Sequence, residues 1–135
     1  MLSRPLFRKR FLTDRKKLGR WGEKYCENFL KKQGYKFIAR NFTHKKGEID
    51  LIFISPTPAL PVLVFVEVKT RRREKRYKAQ DSVGYKKRRK IIYTANHFIR
   101  RYKIKDKPIR FDIAAVILPP KGPPQIRHYK NAFVP

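Results

Sequence analysis

An acid and a base, Glu67 and Lys69, stand two residues apart at the end of the apolar run that fills residues 62–69. The run is β-branched or aromatic and follows Pro61, so it reads as a buried strand. Side chains alternate across a strand, which puts Glu67 and Lys69 on one face, roughly 6–7 Å apart at the backbone. Charges at the end of a core strand are costly unless they pair, bind a metal or do chemistry. Residues 47–54 read as the preceding strand, with Glu48 and Asp50 sharing a face by the same period of two. The segment between them, residues 55–61, is rich in proline and suits an antiparallel hairpin with a longer loop. Hairpin pairing carries Asp50 towards Glu67 and Lys69. Taken alone, Glu67 and Lys69 would make an ordinary strand-end salt bridge. A further carboxylate at hairpin distance, in a very basic chain, favours a site.

Two carboxylates at a sheet edge suit Mg²⁺ or Mn²⁺, hard ions that take oxygen ligands and keep several waters. A phosphodiester oxygen fills one position, and the ion polarises it and acidifies a water. A lysine alongside orients that water or stabilises charge developing on phosphate. Asp50, Glu67 and Lys69 therefore supply the parts for phosphodiester hydrolysis, with Asp50 and Glu67 as the metal ligands.

The elements around them follow from periodicity and caps. Residues 19–33 read as a first helix whose apolar face is Trp21, Tyr25, Phe29 and Leu30 with Cys26 between, closed by an αL glycine at Gly34. Glu23 then lies in its first turn, where it serves the helix dipole or acts as an outer carboxylate holding a water or a lysine. Residues 35–42 form an edge-like strand. His44 reads as a surface loop residue. A second helix starts near Ser82 and buries Ile91, Ile92, Ala95, Phe98, Ile99 and Tyr102. Residues 110–118 and 125–133 are the last strands. Asp112 supports the site from behind or pairs with a nearby arginine, and the pairing is preferred. The order is α-β-β-β-α-β-β, an α/β domain over residues 19–135 with a mixed central sheet, behind a basic arm of residues 1–18.

Charge is the strongest global signal. The 135 residues carry 36 Lys and Arg against 10 Asp and Glu, a net charge of +26. Self-repulsion of that size opposes compaction, so a polyanion is the simplest partner, with nucleic acid, and DNA first, ahead of a membrane surface. Arg71, Arg72 and Arg73 open a basic loop directly after Lys69, in which Tyr77 offers a ring for stacking. Lys86, Lys87 and Arg88 load the start of the second helix with positive charge, against the dipole preference, which points to a phosphate load. No apolar run approaches the ~20 residues that span a bilayer. One cysteine, Cys26, rules out an internal disulfide, and the three histidines lack ligand spacing, so a reducing cytosol fits. The basic arm lacks the features of a secretory signal; an organellar transit peptide is the lesser reading.

The order Asp50, then Glu67-x-Lys69 on consecutive strands after a Glu-bearing helix, resembles the PD-(D/E)xK nucleases of the restriction-endonuclease-like fold. The usual proline before the aspartate is absent, position 49 being Ile. A closer resemblance lies in longer motifs. Gly19-Arg20-Trp21-Gly22-Glu23, Gly34-Tyr35, Ala39-Arg40-Asn41-Phe42, Gly47-Glu48-Ile49-Asp50-Leu51-Ile52 and Val64-Phe65-Val66-Glu67-Val68-Lys69-Thr70-Arg71 are similar to the YraN family of bacteria. Lys87, Ile91, Ala95 and Arg110-Phe111-Asp112 continue the pattern, which covers about residues 19–118. That family is regarded as predicted endonucleases, distantly similar to archaeal Holliday-junction resolvases. The resemblance implies the restriction-endonuclease-like core, with Asp50 and Glu67 as metal carboxylates, Lys69 as the catalytic lysine and Glu23 as the helix carboxylate. It assigns no role to Glu48 or Lys87.

Two functions stay open on the sequence. One is a Mg²⁺- or Mn²⁺-dependent endonuclease, for which branched DNA is one substrate. The other is a non-catalytic nucleic-acid-binding module that retains the fold. Cleavage of branched DNA calls for two sites acting together, hence a homodimer, and an exposed edge strand is the candidate surface.

Overall fold

The computed structural model describes residues 14–73 and 83–135. Helix α1 (Arg15–Lys32) is followed by β1 (Lys36–His44), β2 (Gly47–Ile54) and β3 (Leu63–Arg71). Then come α2 (Tyr85–Arg101), β4 (Ile109–Ile117) and β5 (Gln125–Phe133). The five strands lie side by side in chain order. β3 and β4 are parallel, and every other neighbouring pair is antiparallel. A parallel pair needs a crossover, and α2 lies within it. The fold is therefore the expected α/β arrangement around a mixed sheet.

β3 is central and buried on both faces, which is why its sequence is a continuous apolar run and not an alternation. Leu63 and Phe65 enter one core with Ile91, Ala95 and Phe98 of α2. Val64 and Val66 enter a second core with Cys26 and Leu30 of α1. The helices thus cover opposite faces of the sheet.

The first helix starts four residues before the expected Gly19. Asp14 caps it, its Oδ1 accepting from the Lys17 N–H at 3.1 Å. The buried line is Leu18, Gly22, Cys26 and Leu30, at intervals of four, while Trp21, Tyr25 and Phe29 flank it. Glu23 consequently lies mid-helix, where the end of the dipole does not reach it. Part of the expected basic arm, Arg15 to Leu18, is helix; the rest, residues 1–13, lies outside the described residues. Gly34 takes the predicted left-handed cap with φ 93°, and the Tyr35 N–H reaches back to the Leu30 carbonyl at 3.0 Å.

α2 begins at Tyr85 behind Gly84, with no side-chain cap and no acid in its first turn. The expected cap Ser82 and the ring of Tyr77 lie outside the described residues. Thr94 joins Ile91, Ala95 and Phe98 in the buried stripe, whereas Tyr102, expected inside, is exposed because the helix ends there. β3 runs to Arg71, which pairs with Ile117, so Arg71 closes a strand and does not open a loop.

Asp112 pairs with arginine as expected. Arg110 grips it with Nε and Nη2 at 2.8 and 2.9 Å, the Asn131 N–H donates at 2.9 Å, and His128 Nε2 lies at 2.6 Å. Burial would raise the Asp112 carboxyl, but these partners outweigh it and hold the group below its ordinary value. The network ties β4 to β5.

Candidate functional site: a carboxylate and lysine cluster where β2 and β3 part

The β2–β3 ladder runs from the Ile54–Leu63 pair to the Leu51–Val66 pair. One step further, Asp50 turns its Oδ2 to accept from the Val68 N–H at 2.8 Å. Neighbouring β1 is irregular at the same level. Asn41 adopts φ 50°, a left-handed conformation that asparagine tolerates better than most residues. Arg40 reaches α1 while Phe42 packs on Phe98 of α2. Their partners follow suit: Leu51 belongs to the α1-side core and Ile49 to the α2-side core. Residues two apart on a regular strand share a face, so β1 and β2 both switch faces here. The switch sets Asp50 at the opening of the sheet.

Glu67 is 5% exposed. Asp50 hydrogen-bonds it, Lys69 Nζ lies 3.6 Å from its Oε2, and Lys87 of α2 forms an ion pair with the same oxygen. Glu67 and Lys69 therefore do share a face, the one that α2 covers. Burial first, and the neighbouring Glu67 second, push the Asp50 carboxyl well above the carboxylate range. Burial and the adjacent Lys87 hold Lys69 below its ordinary value. Burial alone would lower Lys87 too, but its bond to Glu67 outweighs that and raises it.

The α1 side contributes Glu23. The Asn41 side-chain amide donates to Glu23 at 2.9 Å and to Glu48 at 3.1 Å, clamping two carboxylates together. Burial, with Glu48 and Glu67 nearby, raises Glu23 against the opposing pull of Asn41. Glu23, Glu48, Asp50 and Glu67, four of the chain's ten acids, thus gather at one sheet opening in a protein of +26. Sequence reasoning assigned no role to Asn41 and placed Lys87 only among the phosphate-binding residues, not at Glu67. An asparagine inside a strand, within the Ala39-Arg40-Asn41-Phe42 motif, was the signal for Asn41. Lys87 was hidden among five consecutive cations.

Two glycines let the helices approach. A methyl group on Gly22 would collide with the Thr70 side chain, and one on Gly47 would collide with Thr94. Gly22 thereby seats α1 against the end of β3, and Gly47 seats the start of β2 against α2. The sequence shows both glycines but not what they touch.

Of the predicted phosphate-binding residues, Arg72 and Arg73 are exposed after β3, and Lys86 and Lys87 are exposed on the first turn of α2. Arg71 is half-buried and donates to the Thr70 carbonyl. Arg88 donates to the Val83 carbonyl at 2.7 Å and lies over the Phe133 ring, so it also holds α2 in place.

The residues at this opening all lie within the segment that the family comparison matches. The model of "Uncharacterised protein family UPF0102" matches residues 22–116, from the glycine on α1 through β4. The chain belongs to the UPF0102 family. This is the YraN family of the motifs above. UPF0102 proteins similar to it include one from Clostridioides difficile, 39% identical over 118 residues, 87% of this chain and 97% of that one. Another, from Pelobacter propionicus, is 38% identical over 120 residues, 89% and 84% of the two chains. A third, from Porphyromonas gingivalis, is 36% identical over 123 residues, 90% and 87%. No helix among the described residues of this UPF0102 chain is long and apolar enough to cross a membrane.

The chemistry of the donor set bears on a divalent ion. Burial and the neighbouring Glu67 favour a proton on the Asp50 carboxyl. A divalent cation replaces that proton and leaves both groups ionised. Among the described residues no three His, Cys, Asp or Glu side chains converge on one metal position. Two carboxylates, with water and substrate oxygens filling the rest, are what Mg²⁺ takes at phosphate-handling sites. Asp50 and Glu67 fit that ion.

Proposed function

We propose that this UPF0102 protein is a metal-dependent endonuclease that hydrolyses phosphodiester bonds in nucleic acid, DNA first and branched DNA among its substrates. The supporting observation is the meeting of Asp50, Glu67 and Lys69 where β2 and β3 part. Asp50 and Glu67 would hold Mg²⁺ or Mn²⁺. When bound, the ion supplies Lewis-acid polarisation of the phosphate and acidifies water. Lys69, held below its ordinary basicity, orients the attacking water and stabilises charge developing on phosphate. Glu23, raised by burial and steadied by Asn41, positions water from the α1 side. Arg71, Arg72 and Arg73 at and after the end of β3, with Lys86, Lys87 and Arg88 at the start of α2, would supply counter-charge to the backbone. Two copies acting on a branched substrate would need a shared surface, and β1 and β5 are the two sheet edges. A reducing cytosol belongs to the same proposal.

The second reading is a nucleic-acid-binding module without catalysis. Its specific support is the Lys87–Glu67 ion pair, which already neutralises a metal carboxylate. The test is cleavage of labelled duplex, single-strand, flap and four-way-junction DNA, and RNA, with Mg²⁺ or Mn²⁺. Wild type runs beside Glu67→Ala and Lys69→Ala. Cleavage that vanishes in both variants while binding persists establishes the nuclease. Binding by wild type with no cleavage of any substrate selects the module, as does the absence of any Mn²⁺ binding that Asp50→Ala removes.

A further inference from the structure

The flank of α2 beside the end of β1 carries a second group of residues with no part in the proposed chemistry. His44, at the end of β1, stacks on His97 of α2 with ring centroids 3.3 Å apart and planes 15° from parallel. Tyr93, one turn earlier and 46% exposed, lies 5.8 Å from the same His44 ring. Three rings from two elements thus make one surface platform. Tyr93 is exposed while His44 and His97 are half-buried, so the platform is one open ring beside a stacked pair.

The electrostatic surroundings indicate what would cover these rings. Desolvation first, then His97 and the cations Lys45, Arg100 and Arg101, lower the basicity of His44. His44 thus offers a flat π surface in a cationic neighbourhood. α2 has no acidic residue anywhere between Tyr85 and Arg101. A membrane surface would want an apolar helix face, whereas here the outward side mixes single rings with cations. Rings spaced among cations match a strand whose phosphates and bases alternate. In a duplex the base faces are stacked on one another and out of reach of such rings.

We infer that the platform of Tyr93, His44 and His97 binds single-stranded nucleic acid, with unpaired bases stacking on the rings and the backbone on Lys45, Arg100 and Arg101. Tyr93 lies roughly 9 Å along the helix axis from Lys87, at a rise of about 1.5 Å per residue. One strand can follow α2 from the platform to the carboxylate cluster. The inference rests on nucleic acid as the partner but not on cleavage. It makes a substrate with an unpaired segment beside the cut site the preferred one.

The test is fluorescence anisotropy on the full chain in EDTA, which removes cleavage from the readout. The probes are labelled 20-mer oligo(dT) and a 20-base-pair duplex. The variants are Tyr93→Ala, Tyr93→Phe and His97→Ala, all at or near the surface, with circular dichroism confirming the fold. Loss of one stacked base weakens binding roughly 5- to 100-fold. Tyr93→Ala and His97→Ala should therefore lose oligo(dT) affinity in that range, with duplex affinity within about twofold of wild type. Tyr93→Phe keeps the ring and should retain oligo(dT) binding. Equal losses on both probes, or no loss on oligo(dT), would overturn the platform while leaving nucleic acid as partner. Failure of wild type to bind either probe would remove the nucleic-acid reading and the platform with it.

Discussion

Lys87 shows how much a single side chain can change the reading of a site. Its ammonium lies against the carboxylate that would hold a metal, and it is also in hydrogen-bond contact with Lys69. A tethered cation of this kind competes with a free one for Glu67. A half-exposed ion pair contributes about 0.2–1 kcal/mol. Lys87→Met should therefore tighten Mn²⁺ binding by up to about fivefold in calorimetry, by the same conversion of free energy to affinity. Weaker Mn²⁺ binding in that variant would mean that Lys87 supports the ion and does not oppose it. Asn41 matters for a different reason. It combines a left-handed backbone with a side chain that bridges Glu23 and Glu48, and neither feature follows from its residue type in isolation.

At the scale of elements, α1 is fastened to β1 by Glu27, which sequence reasoning passed over. The side chain is 1% exposed and meets Lys31 at 2.6 Å, Arg40 at 2.8 Å and Lys24 at 3.5 Å. Burial would raise this carboxyl, but Lys31 and Arg40 outweigh it and hold the group at about 2, against an ordinary 4.5. A depressed folded value means the stabilisation is fully present above about pH 4.5 and is lost as pH falls towards 2. The contribution is at most about 3 kcal/mol. Urea unfolding should show Glu27→Gln less stable than wild type at pH 7, with the gap closing between pH 4.5 and 2. A gap that stays constant with pH would show that Glu27 stabilises by packing and not by charge. The elements themselves were legible because their signals are local. The β2 and β5 boundaries agree with the alternation and turn residues, and Gly34 caps α1 as its type demands. The start of α1 was less legible, because Asp14 sits inside a run of basic residues that masked the cap.

At the scale of the whole molecule, the charge dictates a salt response. If the basic surface neutralises six to ten phosphates, affinity for nucleic acid should fall roughly 10³- to 10⁵-fold between about 50 and 200 mM salt. Filter binding or anisotropy across that range measures it, and a nearly flat response would count against a polyanionic partner. The platform variants should shift affinity without changing this slope, because stacking releases no counter-ions. Cys26 takes no part in any of this: burial above all pushes its thiol up to about 12, which leaves it an inert core residue on α1.

Residue types and spacing alone determined the order of elements, the hairpin that brings Asp50 to Glu67, the shared face of Glu67 and Lys69, and the family. Each depends on periodicity, on turn chemistry or on motifs contiguous in the chain. Only the tertiary structure decided the face switch at Asn41, the Lys87 contact with Glu67, the fastening by Glu27 and the pairing of His44 with His97. Each of these joins residues on different elements whose approach is set by packing across the sheet. Glu27 and Arg40 are 13 residues apart in sequence, yet 2.8 Å apart in space. No local pattern encodes such a contact, because the distance depends on how closely α1 can approach the sheet, which Gly22 permits.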